Sequence, residues 1–438
     1  MNVFRAAIFV LAASTIAQAA DWTQWRGPNR DGHSADKGLL KTWPSEGPKL
    51  NWTFDTAGVG YGSPAVVGDR LYILGAEDPE KGEREFLVCI GTKDGKEIWR
   101  QKLDNSAGNY SANWGGGPRG TPSVDGDHVY ILGPRGDLQC RKTSDGSKVW
   151  GINLVKDLGG KIPNWGYSES VLIDGDRLLC MPGGNKGTIA ALDKKTGDVI
   201  WRSTDLTEGA SYSSLVINNY GVKHYVTIAP SGLVGVRASD GKLLWRSAAG
   251  KNGIAVCPTP VVNDKFVFGT SGYQSGCGLV ELSPDGPDAV KAKDIYLSKT
   301  MQNHHGGVIR VGDQLFGYSD KGGWMCLDYL KMETDKEDPL WKSDKLSKGS
   351  LIYADGQFYL YSDVKKDKDL FGTCVLIDAN KKEWKESGRF VLPQMTQHPR
   401  RSGRVWTHPV VANGKLFLRD HELLFCYDIK GLQAPAQE

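Results

Sequence analysis

The chain has 438 residues, of which 24% are charged, 39% are hydrophobic and 55 are glycine, a composition typical of a soluble, turn-rich globular protein and not of a disordered one. Its 54 basic and 51 acidic side chains nearly balance, and no basic run stands out. Nucleic-acid binding therefore has no electrostatic support.

The first residues predict a targeting segment. Arg5 precedes a short apolar run over residues 6–17, and Ala17-Gln18-Ala19 fits a signal-peptidase site. The run is too short to span a bilayer. We therefore predict a signal peptide over residues 1–19 and an N-terminal extension over residues 20–49. The protein is expected to be exported, periplasmic or secreted, with no membrane span.

A hexapeptide that ends in tryptophan recurs four times along the chain. The copies read DGKEIW (94–99), DGSKVW (145–150), TGDVIW (196–201) and DGKLLW (240–245). Their tryptophans are spaced by roughly 45 to 50 residues, and a period of this size is typical of repeat architectures.

Each unit also carries a two-residue turn between two short apolar strands. Such dipeptides tolerate the positive φ angles that tight hairpins require. One unit therefore reads as a four-stranded antiparallel meander, the blade of a propeller. The turn dipeptides are Gly68-Asp69, Gly126-Asp127, Gly175-Asp176, Asn263-Asp264, Gly312-Asp313, Asp355-Gly356 and Asn413-Gly414.

The units predict an all-β fold, an eight-bladed β-propeller of four-stranded antiparallel blades over residues 50–430. The eighth unit has only three strands, and the segment Leu50–Phe54 carries the pattern of its missing tryptophan-bearing strand. We therefore expect the N-terminal strand to complete the last blade, because ring closure removes free sheet edges. Residues 431–438 form a C-terminal tail.

The repeated tryptophans are interpreted as structural, because adjacent blades need a large flat filler between them. The fifth unit has no such tryptophan, and in the seventh Trp384 is out of register, so those two interfaces should be less regular. The predicted blade-docking residues are Trp52, Trp99, Trp150, Trp201, Trp245 and Trp341.

Four of the eight cysteines share one position in their repeats and are predicted to be small, buried strand residues. They are Cys89, Cys140, Cys326 and Cys426. Cys257 and Cys277 fall in one repeat and form the pair to test as a disulfide.

These repeats resemble the tryptophan-docking repeats of pyrroloquinoline quinone (PQQ) proteins, and the resemblance covers nearly the whole chain after the predicted signal peptide. The segments Trp25–Gly32 (WRGPNRDG), 348–350 (KGS) and 406–409 (WTHP) resemble a bacterial subgroup of exported PQQ-like proteins. The superfamily includes quinoprotein alcohol dehydrogenases and also non-catalytic members, such as the propeller lipoprotein of the outer-membrane assembly machinery. The resemblance implies the fold and leaves the activity open.

The chain departs from the dehydrogenase pattern. Those enzymes carry an adjacent Cys-Cys pair, and quinohaemoproteins carry C-x-x-C-H; neither occurs here. Their calcium ligands cannot be matched residue by residue. We assign no catalytic residue, no metal ligand and no certain cofactor.

Three loops before predicted innermost strands carry unusual polar and aromatic residues. In residues 113–119, Trp114 offers a stacking face, Arg119 can clamp a carboxylate, and the glycines between them let a ligand approach the backbone. In residues 164–169, Trp165 precedes Glu169, which stands where other units have Gly or Thr. This carboxylate could ligate Ca²⁺, or it could pair with Arg119 or Arg135.

The third loop holds adjacent histidines, His304 and His305, which should point opposite ways if the segment is extended. Either could act as a base or bind a ligand. Lys348 and His408 lie at comparable strand starts. The predicted ligand-binding residues at the channel mouth are Trp114, Arg119, Trp165, Glu169, His304, His305, Lys348 and His408.

Two functions fit these observations. The first is a non-catalytic binding or scaffold module of the cell envelope that takes an envelope protein, a polymer or a small molecule at the channel mouth. The alternative is a PQQ-dependent dehydrogenase of alcohols or sugars with PQQ and Ca²⁺. There, the resemblance implies that Arg119 or Lys348 polarises the quinone, Trp114 or Trp165 stacks on it, and Glu169 serves Ca²⁺.

Overall fold

A computed structural model describes residues 21–78, 83–104, 108–332, 338–362, 372–399 and 404–431. The predicted signal peptide and all but the first residue of the predicted C-terminal tail lie outside these ranges. Within them the regular elements are 33 β-strands arranged in eight sheets. Over the same ranges, no helix has the length and apolar character needed to cross a membrane.

The first half of the chain contributes two leading strands and four blades. In each blade the strands are antiparallel and in sequence order, and the first strand faces the central channel. The leading strands are β1 (His33–Ser34) and β2 (Lys49–Phe54); blade 1 is β3 (Ala65–Val67), β4 (Arg70–Asp78), β5 (Glu83–Gly91) and β6 (Glu97–Lys102); blade 2 is β7 (Ser123–Asp125), β8 (His128–Leu132), β9 (Asp137–Lys142) and β10 (Lys148–Asn153); blade 3 is β11 (Leu172–Asp174), β12 (Arg177–Cys180), β13 (Ala190–Asp193) and β14 (Val199–Arg202); blade 4 is β15 (Val216–Asn218), β16 (His224–Ala229), β17 (Gly232–Arg237) and β18 (Leu243–Ser247).

The second half supplies blades 5 to 8 in the same way. Their strands are, for blade 5, β19 (Val261–Asn263), β20 (Phe266–Ser271), β21 (Gly276–Pro284) and β22 (Val290–Ser298); for blade 6, β23 (Val308–Val311), β24 (Gln314–Ser319), β25 (Gly323–Asp328) and β26 (Trp341–Ser343); for blade 7, β27 (Gly349–Ala354), β28 (Gln357–Ser362), β29 (Thr373–Asp378) and β30 (Glu386–Val391); and for blade 8, β31 (Val410–Ala412), β32 (Lys415–Asp420) and β33 (Leu423–Asp428).

The N-terminal strand closes the ring, as predicted. Strand β2 pairs antiparallel with β33, and Trp52 stands opposite Cys426. The eight-bladed, four-stranded architecture expected from the repeats is therefore confirmed.

The repeated tryptophans reach from one blade to the next. In four of them the indole N–H donates to a backbone carbonyl three residues before the glycine of the next Asp/Thr-Gly turn, at 2.9–3.2 Å, and the ring packs on that glycine. The small residue across the strand pair leaves room for the indole; it is cysteine in several blades and Gly235 opposite Trp245. The donor–acceptor pairs are Trp52 with Thr92, Trp99 with Thr143, Trp150 with Lys194, and Trp201 with Ala238.

Two interfaces depart from this pattern. Blade 5 carries Tyr296 in place of tryptophan, and its hydroxyl donates to the carbonyl of Tyr329 at 2.7 Å. Beside blade 7, Trp43 of the N-terminal extension packs on Phe390 with ring centroids 5.3 Å apart. Among the described residues the indole N–H of Trp245 has no hydrogen-bond partner. The irregularity expected at the fifth and seventh units is present.

The turn glycines allow a direct test of the docking. Gly241 has φ +76°, and an added Cβ would lie 2.3 Å from the Trp201 ring, whereas Gly286 has φ +77° with nothing within 4 Å. Both alanine variants incur left-handed backbone strain of about 1–2 kcal/mol, but only Gly241→Ala adds overpacking of about 1–3 kcal/mol. Urea unfolding should therefore show a larger loss for Gly241→Ala. Equal losses would contradict the docking.

The N-terminal extension fills the central channel, which the sequence did not indicate. We call residues 21–36 the plug. The innermost strand of each blade has an unpaired edge facing the channel, and buried backbone groups need partners. Trp22 exchanges two hydrogen bonds with Val66 of β3, the Val124 N–H donates to the Thr23 carbonyl, and β1 pairs parallel with β27.

Two arginines anchor the plug. Arg30 donates to the carbonyls of Leu215, Ser170 and Val171, on blades 4 and 3, and is 3% exposed. Arg26 donates to the Val308 carbonyl of blade 6 at 2.6 Å. Burial lowers the pKa of Arg26 to about 10 and that of Arg30 to about 9, so both remain charged near neutral pH. With contacts to Thr259 of blade 5 and Gly414 of blade 8, the plug touches all eight blades.

Candidate functional site

One side of the plug opens into a cavity of about 320 Å³, which we call the funnel. Its floor is the edge-on ring pair of Trp25, from the plug, and His408, with centroids 4.6 Å apart. The Trp25 indole N–H donates to Thr259 at 2.9 Å, which fixes the floor to blade 5. The funnel is therefore a dead end and not a through-channel.

The wall of the funnel takes one residue from each blade at the same position of the repeat. Each lies three residues before the proline or aliphatic residue that leads into the innermost strand. This rim ring consists of Tyr61, Arg119, Ser168, Tyr212, Cys257, His305, Lys348 and Trp406, and all eight line the cavity.

Seven of the eight predicted site residues line the funnel, and Glu169 does not. Alternate residues of an extended segment point to opposite sides, so Ser168 and Ser170 face the cavity while Glu169 is directed into the protein. Glu169 is 1% exposed, and its Oε1 accepts from the Met181 N–H. Its charged neighbour is Arg30 of the plug. Arg135 lies instead 3.6 Å from Glu85.

Arg119 is held among aromatic rings. Its guanidinium lies 4.7 Å from the Tyr61 ring centroid and 5.7 Å from that of Trp406, and it donates to the Gly115 carbonyl at 2.7 Å. A Cβ on Gly115 would lie 1.9 Å from the Tyr61 hydroxyl. This glycine therefore makes room for Tyr61, where the sequence had suggested close approach of a ligand.

His304 and His305 would point opposite ways in an extended segment, but this condition is not met. The segment is not an extended strand, and both rings line the funnel with centroids 4.8 Å apart. Burial lowers the pKa of His304 to about 2, and the charges of His305 and Lys348 act in the same direction. Burial also holds the pKa of His305 well below its usual range. Both imidazoles are therefore neutral hydrogen-bonding groups at physiological pH.

Lys348 joins the histidine loop to blade 6. Its ammonium lies 2.5 Å from an Asp320 carboxylate oxygen and 3.1 Å from Nδ1 of His304. Trp165 is held on the opposite wall by a 2.9 Å hydrogen bond from its indole to Asn113, while Trp114 stands 41% exposed at the mouth. The predicted stacking and charged groups thus lie around one cavity.

The funnel is aromatic and electropositive. Arg119, Lys348 and Arg404 line it, and none of the described lining residues carries a carboxylate. Burial lowers the pKa of His408 to about 3, and the positive charge of Arg26, which lies beneath the floor, acts in the same direction. Within the described ranges no cluster of three or more His, Cys, Asp or Glu side chains could hold a metal ion. Such a cavity favours an anion with a flat or ring-shaped face.

Sequence reasoning missed part of the wall. Trp25, Tyr61, Tyr212, Tyr273, Arg404 and Trp406 line the funnel but were not selected as site residues. An alignment of the eight repeats would have found Tyr61, Tyr212 and Trp406, because every residue of the rim ring occupies the same position in its repeat.

Comparison with known proteins identifies the family. The sequence profile of the family described as "Outer membrane protein assembly factor BamB" matches residues 84–337, more than half of the chain. The outer membrane protein assembly factor BamB of Burkholderia pseudomallei strain K96243 is 25% identical over 283 residues, covering 55% of this chain and 70% of that protein.

Solved structures share the fold. BamB from Moraxella catarrhalis superimposes with a TM-score of 0.56 at 14% identity, covering 86% of this chain and 95% of the other. The quinohemoprotein alcohol dehydrogenase ADHIIG of Pseudomonas putida HK5 gives 0.61 at 12% identity, covering 96% and 82%. At these identities the likeness is one of fold.

Proposed function

Because this chain belongs to the family described as outer membrane protein assembly factor BamB, we propose that it is an exported, non-catalytic binding propeller of the cell envelope. Its ligand would occupy the funnel. The observation that carries the proposal is the funnel wall itself, which combines stacking rings and fixed cations but offers no carboxylate among its described residues. Such a wall can hold and orient a ligand.

The alternative, a PQQ-dependent dehydrogenase, is favoured by the aromatic and cationic wall, which suits a planar quinone. The accompanying Ca²⁺ fits poorly, since it takes six to eight oxygen ligands and prefers carboxylates. Glu169, the residue proposed to serve it, is buried away from the cavity behind Ser168 and Ser170. The residues that line the funnel therefore do not fit the metal.

A titration separates the two functions. We expect calorimetry of the purified protein with PQQ to give no Ca²⁺-dependent binding, and a dye-reduction assay with alcohols and sugars to give no turnover. The proposal would be overturned by tight, Ca²⁺-dependent quinone binding with dye reduction that is lost in Lys348→Gln but kept in Lys96→Gln, whose side chain is 81% exposed.

A further inference from the structure

Resting on the binding role proposed above, we propose that the funnel recognises one end of an acidic sugar chain, and that the rest of the chain leaves the funnel through a groove over blade 5. The inference combines three features: a closed floor, a wall of rings and cations, and a second cavity that continues from the funnel.

The closed floor restricts how a chain can bind. Trp25 and His408 block the path through the ring, and the plug behind them is bonded to all eight blades. A polymer cannot thread the channel, so it can place only a terminal unit in the funnel. A cavity of about 320 Å³ is at the small end of ligand sites, which is the size of one or two sugar rings.

The chemistry of the wall favours acidic sugars over peptides. Recognition of a peptide main chain commonly uses an unpaired strand edge. Here the innermost edges at Val66, Val124 and Tyr353 are already bonded to the plug. The interactions still available to a ligand in the funnel are stacking on rings such as Trp114 and Trp165 and ionic contacts with Arg119 and Lys348. A pyranose carboxylate presents a flat apolar face and an anion together, which matches both.

A groove adjoins the funnel at Tyr273. A second cavity, about 600 Å³, shares Tyr273 with the funnel and runs over blade 5. Its lining includes Ile254, 55% exposed, and Leu297, 51% exposed. Isolated exposed apolar residues are ordinary, but two in one groove that opens from a ligand cavity indicate a contact surface.

Tyr273 marks the junction between the two cavities. It lies in the turn between β20 and β21 with φ +55°, and Gln274 follows with φ +62°. Positive φ is unfavourable for a bulky side chain, and such strain is commonly found at functional sites. The Tyr273 ring packs edge-on against His304, with centroids 4.7 Å apart.

The groove keeps the charge of the funnel. Lys251 and Lys299 line it, and Lys299 is held by hydrogen bonds to the carbonyls of Gln274 and Ser275, at 2.8 and 2.9 Å. Cations therefore extend from Lys348 in the funnel to the outer groove. A linear polyanion with one carboxylate per ring would meet them in turn.

Calorimetry with defined oligosaccharides tests the proposal. Galacturonic acid, its trimer and its hexamer are titrated into the full protein, alongside neutral cello-oligosaccharides of equal length. We expect the acidic hexamer to bind at least tenfold more tightly than the acidic monomer, and the neutral hexamer to bind at least tenfold more weakly than the acidic one. Added salt should weaken the acidic series.

Variants separate the two cavities. Lys348→Gln should weaken acidic oligomers of every length by at least tenfold, because it removes one charge-assisted hydrogen bond and leaves the Asp320 carboxylate beside the funnel without its cation. Ile254→Ser should weaken the hexamer more than the trimer, because only the longer chain reaches the groove. Lys96→Gln, on the outer surface, should bind like the unmodified protein.

Several outcomes would overturn the inference. They are equal binding of neutral and acidic sugars, equal binding of monomer and hexamer, preferential binding of an acidic peptide, and no binding of any sugar. The Ca²⁺-dependent PQQ titration is run on the same sample. A negative result there with no sugar binding rejects the ligand class alone, whereas quinone-dependent turnover rejects the binding role itself.

Discussion

Arg30→Met should lower the free energy of unfolding by several kcal/mol. The substitution keeps the length of the side chain but removes the donors to the carbonyls of Leu215, Ser170 and Val171. A buried acceptor left without a partner costs about 1–3 kcal/mol, and three are affected here. The same change removes the cation next to Glu169. Urea unfolding followed by tryptophan fluorescence measures the loss.

A surface arginine provides the matched control. Arg310 donates to one carbonyl, that of Gly312, in an exposed setting. Arg310→Met should change the unfolding free energy by no more than about 1 kcal/mol. If the two variants unfold at the same urea concentration, the plug does not contribute to the stability of the ring. At pH 7 a double variant with Glu169→Gln should unfold like Arg30→Met alone, because burial already keeps most of the Glu169 carboxyl protonated at that pH.

The plug also explains why the funnel has a floor. A propeller channel that stays open leaves eight strand edges to be covered by water, whereas here Trp22, Arg26 and Arg30 cover edges from different blades. Trp25 is part of the same segment and forms the bottom of the cavity. Stability of the ring and shape of the binding cavity therefore depend on one stretch of sixteen residues, 21–36.

The fold could be predicted from the sequence because its main interactions are periodic. Each Trp-bearing strand, turn glycine and small residue recurs at the same spacing, and even the completion of blade 8 by Leu50–Phe54 follows from a missing copy. The plug could not be predicted this way. The sequence of residues 21–36 is not repeated elsewhere in the chain, and their hydrogen-bond partners belong to strands far apart in the sequence. No local sequence pattern therefore predicts these contacts.

The same distinction applies to the site. Arg119, Lys348 and His408 were selected because their chemistry stands out at strand starts, and they do line the funnel. Tyr61 and Tyr212 read as ordinary aromatic residues and were missed. Glu169 was predicted from its chemistry, but its side chain points away from the funnel. Neighbouring residues of an extended segment point to opposite sides, and Ser168 and Ser170 are the ones that face the cavity.

Glu169→Gln should reduce the decline in stability between pH 7 and pH 8 by about 1 kcal/mol. Burial raises the pKa of Glu169 to about 8, against the effects of Arg30 and the Met181 N–H. The folded state then holds a proton that the unfolded state releases near pH 4.5. The contribution of Glu169 to the free energy of unfolding is therefore greatest below pH 4.5 and is lost as the pH rises towards 8. The total is on the order of a few kcal/mol, since a tenfold change in proton affinity is worth about 1.4 kcal/mol.

The difference between the variant and the unmodified protein isolates Glu169, because the other groups that titrate in this window contribute equally to both. The neighbours Tyr167 and Cys180 have pKa values raised by burial and stay protonated there in the folded state, while unfolded thiols begin to ionise as the pH approaches 8 and add the same decline to every variant. His304, His305 and His408, whose pKa values burial lowers, oppose the trend mainly up to about pH 7, where part of the unfolded histidine still takes up a proton. Glu85, raised to about 7 by burial, contributes to the lower part of the decline.

Urea unfolding at pH 7.0, 7.5 and 8.0 measures the slope. The unmodified protein should lose about 1 kcal/mol more across this range than Glu169→Gln does, and Glu46→Gln, an exposed control, should follow the unmodified protein. Because glutamine has the shape of the protonated acid, the variant should also be the more stable protein at pH 8. A slope in Glu169→Gln equal to that of the unmodified protein would show that the carboxylate behind the funnel wall is already ionised in the folded protein, which contradicts its burial away from the cavity.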